Sequence, residues 1–320
     1  MFEKYTFNAK QTEIRLDNYL ARQLPNYSRT KIQEYIKSGD VTVDGKNAKP
    51  SMLLQGFEEI SCQFEIINKH LDVEPEKMDL DIVYEDKYIA IINKPSGLVV
   101  HPGNGNWNGT LLNGLLYHFD NLSNMSSDRA GIVHRLDKET SGLIIIAKDN
   151  VSHENISKQF SDRIVKKEYF AFVWGNISGD QTINKNIIRH KIQRQMFTTS
   201  NSSGRKSITH LEIMGNYPPF TFVKLFPETG RTHQIRVHLK SINNPIVNDM
   251  LYGGLIEKYN SYHTKYTQFA KLISKNINRV ALHAHSIMFK HPKTNKEVKF
   301  ISPLPEDMSQ VLGIMKKEYE

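Results

Sequence analysis

Cysteine is almost missing from this chain: Cys62 is the single one in 320 residues. A lone cysteine cannot close an intramolecular disulfide or furnish a Cys-based zinc site. Disulfide-stapled folds are therefore excluded, and a reducing, cytosolic setting is expected. Long apolar runs are missing too. The longest aliphatic stretches, such as "LIIIA" at 143–147, are about five residues, whereas a membrane helix needs roughly twenty. The opening "MFEKYTFNAK" has no apolar h-region, so no secretory signal is expected. Nor is there an internal repeat, a heptad array or a low-complexity tail.

Several chemical signatures are also lacking. Ser141 precedes Gly142 but sits in no G-x-S-x-G elbow, which argues against a serine hydrolase. "HPGNGNWNG" is glycine-rich without the lysine and spacing of a phosphate loop. His233 and His238 are five apart, a poor spacing for two ligands on one helical face, and His283-x-His285 has no nearby carboxylate to complete a set. No metal and no cofactor are expected. Acids are absent from 181–211, where Lys185, Arg189, Lys191, Arg194, Arg205 and Lys206 all fall. Such a segment predicts an anion-facing surface.

What is present fits that surface. The net charge is +8, and 39% of residues are apolar, enough to bury a substantial core. Lys-rich composition by itself accounts for part of the charge, so its distribution carries more weight than its sum. The length suggests two domains, or one large domain with an appendage.

Residues 14–60 read as a compact unit. "IRLDNYLARQL" sets Leu16, Tyr19, Leu20 and Leu24 on one helical stripe. Pro25 and Asn26 stop it, and Ser28 is placed to N-cap a second helix that buries Ile32, Tyr35 and Ile36. Gly39 closes that helix, and "VTVDGKNAKP" follows as a strand, an Asp-Gly turn and a basic return. Arg15 to Lys49 holds seven basic and four acidic residues, a local +3. On "RLDNYLA", "SRTKIQEYIKSGDVTVDG" and "LQG", the stretch resembles the small α-L RNA-binding module of the ribosomal-protein S-four type. Phe57 departs from that family, which usually has an acid after this glycine. The resemblance implies such a domain over 1–67, and Arg29 and Lys31 are taken as its RNA contacts.

Polar residues 68–80, with Pro75, read as a linker, and 81–320 as the larger domain. Three of its segments combine charge with apolar support. "GIVHRLDKETSGLIIIAKD" (131–149) carries five ionisable side chains between apolar runs, Asp137 among them, with Leu136 expected to pack inward. "KKEYFAFVWG" (166–175) reads as a strand buried on both faces, with Tyr169 at its mouth. "GRTHQIRVHLKSINNP" (230–245) reads as a helix whose Ile235, Leu239 and Ile242 share a stripe. Arg231 and Arg236 then project away from it, free to meet a carboxylate or a phosphate. Unaided, these residues support RNA binding well and an activity weakly.

At the same residues the chain resembles the RluA/RluD-type pseudouridine synthases and is closest to the RluD-like branch. "HRLDKETSGL", "KKEYFAFVWG" and "GRTHQIRVHL" match that family's catalytic, tyrosine and arginine motifs. "NKPSGLVVHPGNG", "GTLLNGLLYHF", "LYGG" and "LHAHSIMFKHP" match flanking segments, so the likeness covers roughly 76–305. Asn248 in "PIVND" departs where the family commonly has Gly. The resemblance implies an α+β fold with a central mixed, mostly antiparallel sheet. It also implies an isomerase that turns uridine into pseudouridine within RNA, without cofactor or metal.

By position, Asp137 would be the essential carboxylate, acting at C1′ or C6, and Arg236 would pair with it. Tyr169 would stack on the flipped uracil. Arg135 would help displace the base or bind a phosphate. His134 and Thr140 are taken as further substrate contacts, and Arg189, Lys191 and Arg194 as phosphate contacts of an arm. Large-subunit ribosomal RNA is the expected partner of a cytoplasmic monomer with no membrane association. Alternatives are the same reaction on tRNA or another RNA, a non-catalytic assembly factor, and a glycosidase. The last would need a second positioned acid, with Glu139 nearby in sequence.

Overall fold

A computed structural model describes the chain except for Met1, Pro25, Asn26, Ser28, 66–72, 104–105, 126–128, 257–263 and Glu320. The helix stop at Pro25 and Asn26, the cap at Ser28 and the first part of the expected linker lie outside the described residues. The chain divides into two compact units, Met1–Leu71 and Asp72–Glu320.

The first unit contains β1 (Phe2–Asn8), α1 (Leu16–Gln23), α2 (Arg29–Ser38), β2 (Val41–Val43), β3 (Lys46–Asn47) and β4 (Glu59–Glu65). Its antiparallel sheet runs β1-β4-β2-β3. Asp44 and Gly45 both take positive φ between β2 and β3, as a tight Asp-Gly hairpin turn requires. The two helices bury their apolar stripes, Leu16, Tyr19 and Leu20 from one and Ile32, Tyr35 and Ile36 from the other, with Cys62 and Phe64 of β4. Where Phe57 stands in place of an acid, the next residue supplies it. The Glu58 carboxylate accepts the N–H groups of Gln55, Gly56 and Phe57, and Phe57 is left 92% exposed.

The second unit comprises β5 (Ile82–Glu85), β6 (Ile89–Lys94), α3 (Leu111–His118), β7 (Ser141–Ala147), α4 (Asn150–Ser161) and β8 (Lys166–Trp174). It continues with β9 (Gln181–Asn184), β10 (Asn186–Arg189), β11 (Phe197–Ser200), β12 (Ile208–Tyr217), β13 (Phe220–Pro227) and α5 (Gln234–Ser241). It ends with α6 (Thr264–Asn276), β14 (Leu282–Lys290), β15 (Glu297–Ile301) and α7 (Glu306–Tyr319). The described residues form a nine-stranded sheet, β5-β6-β7-β14-β8-β13-β12-β9, with β15 on β14. Only the β7–β14 pair is parallel; the others are antiparallel. The sheet is mixed and mostly antiparallel, and β10 and β11 stand apart as a hairpin.

The unbroken apolar run of β7 has a simple cause: both of its faces are covered. Ile144 and Ile146 meet Leu111, Leu112 and Leu115 of α3, while Leu143 and Ile145 lie with Ile156 of α4. Each such side chain contributes about 1.5–3 kcal/mol by burial. Gly142, second in β7, takes φ 111°, and a Cβ there would strike the carbonyl of Ala284 on β14. No other residue fits so close a strand approach.

Residues 73–80 differ from the linker reading. Val73 and Leu80 pack on the α3 cluster, and the Glu74 carbonyl accepts from Asn113 Nδ2 at 2.9 Å. The strand over 166–174 also differs. Ala171–Trp174 are buried, but Lys166–Phe170 are partly exposed, which leaves Tyr169 facing a cavity. No helix among the described residues is long and apolar enough to cross a membrane.

Candidate active site

The loop before β7 is fixed at both ends. His134 Nε2 accepts the Ile145 N–H at 2.8 Å, and its ring lies 4.7 Å from that of Phe160. Burial pushes this imidazole down to about 3, so it stays neutral and holds the loop. His134 is therefore not among the residues lining the cavity, contrary to its assignment as a substrate contact. Leu136 is buried as expected, and the Thr140 N–H closes a turn onto the Asp137 carbonyl at 3.1 Å.

The "NKPSG" segment clamps the same loop from behind. Lys94, fully buried, donates to the carbonyls of Pro95, Leu98 and Lys138 at 2.7, 2.9 and 3.1 Å. Ser96 Oγ donates to the Glu139 carbonyl at 2.7 Å and the Gly97 N–H to that of Lys138 at 2.9 Å. Burial brings the Lys94 ammonium down to about 7, against the pull of Glu139 and Asp137. The resemblance marked this segment as a match but attached no task to Lys94.

Arg236 is the centre of the site. Its Nη1 donates to Asp137 Oδ2 at 3.2 Å, and its Nε and Nη2 donate to the two oxygens of Asp249 at 2.7 and 2.9 Å. Burial opposes its charge, but the hydrogen bonds and field of Asp249, then of Asp137, hold the guanidinium charged beyond its ordinary range. His233 precedes helix α5, its left-handed φ of 55° turning the chain, and Gln234 through Leu239 are all buried. On the side away from the apolar stripe Arg236 meets the carboxylate of Asp249 and the ring of Tyr252, 5.0 Å away.

Asp249 was not anticipated as a partner. Its signal lay in "PIVND": Asn248 has φ 58°, the conformation for which glycine is usual and asparagine the best substitute. The Asn248 N–H reaches the Gly254 carbonyl at 2.8 Å, so the turn that presents Asp249 is kept.

Asp137, Tyr169, Arg135, Thr140, Lys167 and Arg231 line one cavity of about 110 Å³ together with His233 and Arg236. This is small beside the roughly 300–1,000 Å³ of drug-sized sites and suits one planar group. Asp137 is its single acid, and its side chain is 20% exposed. A glycosidase would need a second positioned carboxylate, which this lining lacks. Burial and then the Asp137 charge raise the Tyr169 phenol above its ordinary range, so it stays protonated. Burial lowers Lys167 to about 8 and draws Arg135 below its usual value. The buried Nε of Arg231 has no hydrogen-bond partner among the described residues.

The acid-free segment makes β9, the β10–β11 hairpin and the start of β12. Arg189, Lys191 and Arg194 are exposed near the hairpin tip, with Ile192 86% exposed between them. Lys185 instead donates to the Ser241 carbonyl at the end of α5. His238 is spent on Thr209 and the Lys185 carbonyl, well apart in function from His233. Among the described residues no cluster of three or more His, Cys, Asp or Glu is placed to hold a metal ion.

In the first unit, Asp17 is buried and bonded by Arg15, Arg29 and Gln33. Arg29 and Arg15 are held by one carboxylate while remaining half exposed. Lys31 is engaged with Glu34 at 3.0 Å and lies over the Tyr35 ring.

Residues 88–241 match the family model described as RNA pseudouridylate synthase, and 14–60 match the S4 domain. The chain is 40% identical over 304 residues to the ribosomal large subunit pseudouridine synthase D of Neisseria meningitidis serogroup B, spanning 95% of this chain and 79% of that one. It is 39% identical over 314 residues to the uncharacterized RNA pseudouridine synthase YlyB of Bacillus subtilis, spanning 98% and 97%. To the ribosomal large subunit pseudouridine synthase D of Escherichia coli K12 it is 37% identical, over 98% of this chain and 94% of that one. The solved structure of human RNA pseudouridylate synthase domain containing 1 shares the fold, with a TM-score of 0.54 and 24% identity. That match covers 76% of this chain and 97% of that one. The chain belongs to the RNA pseudouridine synthase family and is an isomerase acting on RNA. Within that family it is of the RluA/RluD type, carrying an S4 domain at its N-terminus.

Proposed function

We propose that this enzyme isomerises uridines of large-subunit ribosomal RNA, in the cytoplasm, with Asp137 as the reacting carboxylate. Two relatives named as ribosomal large subunit pseudouridine synthase D, matched over 95% and 98% of the chain, support the target. The observation that carries the site is the sharing of Arg236. Because Asp249 takes two of its nitrogens, Arg236 meets Asp137 through one contact at 3.2 Å and leaves the other lone pairs of that carboxylate free.

The uridine leaves the RNA stack and enters the cavity. Asp137 acts on the sugar at C1′ or on the base at C6. The N1–C1′ bond breaks, the uracil turns, and C5 bonds to C1′. The C5 proton is lost and N1 gains one, so atoms and electrons balance with no added reagent. Tyr169 offers its ring as the floor on which the base turns, and its protonated phenol stands near C5. Arg135, Lys167 and Arg231 give the mouth a positive field that suits the flanking phosphates. The hairpin cations Arg189, Lys191 and Arg194 extend that field outward.

Asp137→Asn is the test. Pseudouridine is mapped across total RNA from cells that lack the gene and carry either version. The wild type restores pseudouridine in large-subunit RNA. The variant falls by at least about 10³-fold yet still binds the RNA. Wild-type pseudouridine from the variant would remove Asp137 from the chemistry, and restored sites confined to tRNA would overturn the target.

A further inference from the structure

Phe197 on the β10–β11 hairpin donates its backbone N–H to Tyr252 Oη at 3.0 Å. The same oxygen lies 2.8 Å from His233 Nδ1, and His233 Nε2 lies 3.9 Å from Asp137 Oδ2. The geometry points to a relay from the hairpin to the reacting carboxylate, in which Tyr252 and His233 are positioning residues that set the state of Asp137. This inference rests on the reading of Asp137 above.

A phenol oxygen that accepts an amide N–H still has one proton to give. Among the described residues, His233 Nδ1 is the acceptor within reach of Tyr252 Oη. The imidazole is then bare at Nδ1 and protonated at Nε2, and that proton faces Asp137. The ring stays neutral because burial lowers its pKa, more than the Asp137 charge restores it, with Arg236 opposing and Asp249 adding smaller effects. At 3.9 Å the contact is electrostatic and does not occupy a carboxylate lone pair.

The opposite tautomer would set a nitrogen lone pair against Asp137. Tyr252 chooses between the two, and the Phe197 amide instructs Tyr252. The hairpin is seated by the same residues. Tyr252 packs with Ile187 of β10 and Phe197 of β11, and the Phe197 ring meets His233 edge-on at 5.8 Å. If the hairpin lifts, Tyr252 is free to accept from Nδ1–H, and the nitrogen facing Asp137 loses its proton. RNA that presses on the hairpin cations thus stabilises the arrangement in which Asp137 faces a donor. From the sequence, His233 suggests only a metal ligand, and Tyr252 stands in "LYGG" with no task of its own.

Nitrogen-15 spectra of the full-length protein read the tautomer directly. His233 in the wild type is expected to show a protonated Nε2 and a bare Nδ1, and Tyr252→Phe to lose that signature. Single-turnover conversion of a large-subunit RNA fragment should slow about tenfold in Tyr252→Phe, with RNA affinity unchanged. His233→Gln carries an N–H that does not depend on tautomer. Adding Tyr252→Phe to it should therefore slow it less than about twofold further. An Nδ1–H tautomer in the wild type overturns the relay. So does an equal loss from Tyr252→Phe in both backgrounds, or a loss of affinity in place of rate. An active Asp137→Asn protein would instead break the assignment of Asp137, whatever the tautomer.

Discussion

Arg236 in the second unit and Asp17 in the first are opposite solutions to one problem. Around Arg236, two carboxylates share a guanidinium whose side chain is only 9% exposed, so one negative charge is left over. Around Asp17, two guanidiniums that are 41% and 49% exposed share a carboxylate that is fully buried, so one positive charge is left over. In each cluster the minority partner is buried and the surplus partner faces outward. The surplus at Asp137 suits attack on an electron-poor carbon, and the surplus at Arg15 and Arg29 suits a phosphate. Burying the shared partner fixes the geometry, while exposing the surplus partner keeps its charge usable.

The largest test of this comparison removes the silent member of the Arg236 cluster. Asp249→Asn leaves buried Arg236 with an amide and one contact at 3.2 Å to Asp137. The loss is expected to be on the order of 3 kcal/mol, which lowers the unfolding temperature of this unit by roughly 6–12 °C. Released from Asp249, Arg236 turns more of its donors to Asp137, and kcat should fall about a hundredfold. Calorimetry and single-turnover assays measure the two effects. An unchanged kcat would mean that Asp137 does not depend on the sharing.

Asp17→Asn breaks the mirror cluster with a smaller effect. Burial would raise the Asp17 carboxyl, but bonds from Arg15, Gln33 and Arg29 outweigh it and bring the group from 3.8 to about 2. A carboxyl lowered in the folded state gives stability that is fully present above about pH 4. That stability is lost as the pH falls toward 2. It is worth about 2 kcal/mol, and the asparagine variant should lack both the stability and this acid-sensitive step. Cys62 is the reporter, since it is buried in this unit and burial raises its thiol to about 12. Its labelling at neutral pH should quicken about thirtyfold in the variant. Equal labelling in both proteins would show that Asp17 does not hold the unit together.

What could be read in the sequence was whatever is local. The two helices of the first unit, the Asp-Gly turn and the inward Leu136 follow from spacing and turn chemistry over a few residues. The pairing of Asp137 with Arg236 came from motif resemblance, because 99 residues separate them. Asp249 was missed for a related reason. Its partner lies 13 residues away across a turn, and the clue was an asparagine standing where a left-handed residue is needed. His134 is expected from its motif to contact substrate, whereas in the fold its Nε2 accepts the Ile145 amide, a partner eleven residues away. Lys94 stands in the matched "NKPSG" segment with no task legible in the sequence, and only the fold sets three carbonyls around it. Residues 73–80 looked like linker because their composition is polar, yet their few apolar side chains reach the α3 core.

The smallest effect is the most direct reading of the surplus charge on the first unit. Arg29 gives its Nε and one Nη to Asp17, and among the described residues its other Nη is left for an outside partner. Arg29→Gln keeps a donor near Asp17 but removes the extra charge, so the fold should persist, with Cys62 labelling close to wild type. If Arg29 neutralises one RNA phosphate, the slope of log affinity against log salt should become shallower by about 0.7–0.9. Affinity at low salt should fall only a few-fold, because one contact among many is lost. An identical salt slope in the two proteins would make the Asp17 cluster purely structural. The two units would then differ in kind: one would hold its surplus charge for chemistry, and the other would use ion pairing only to fold.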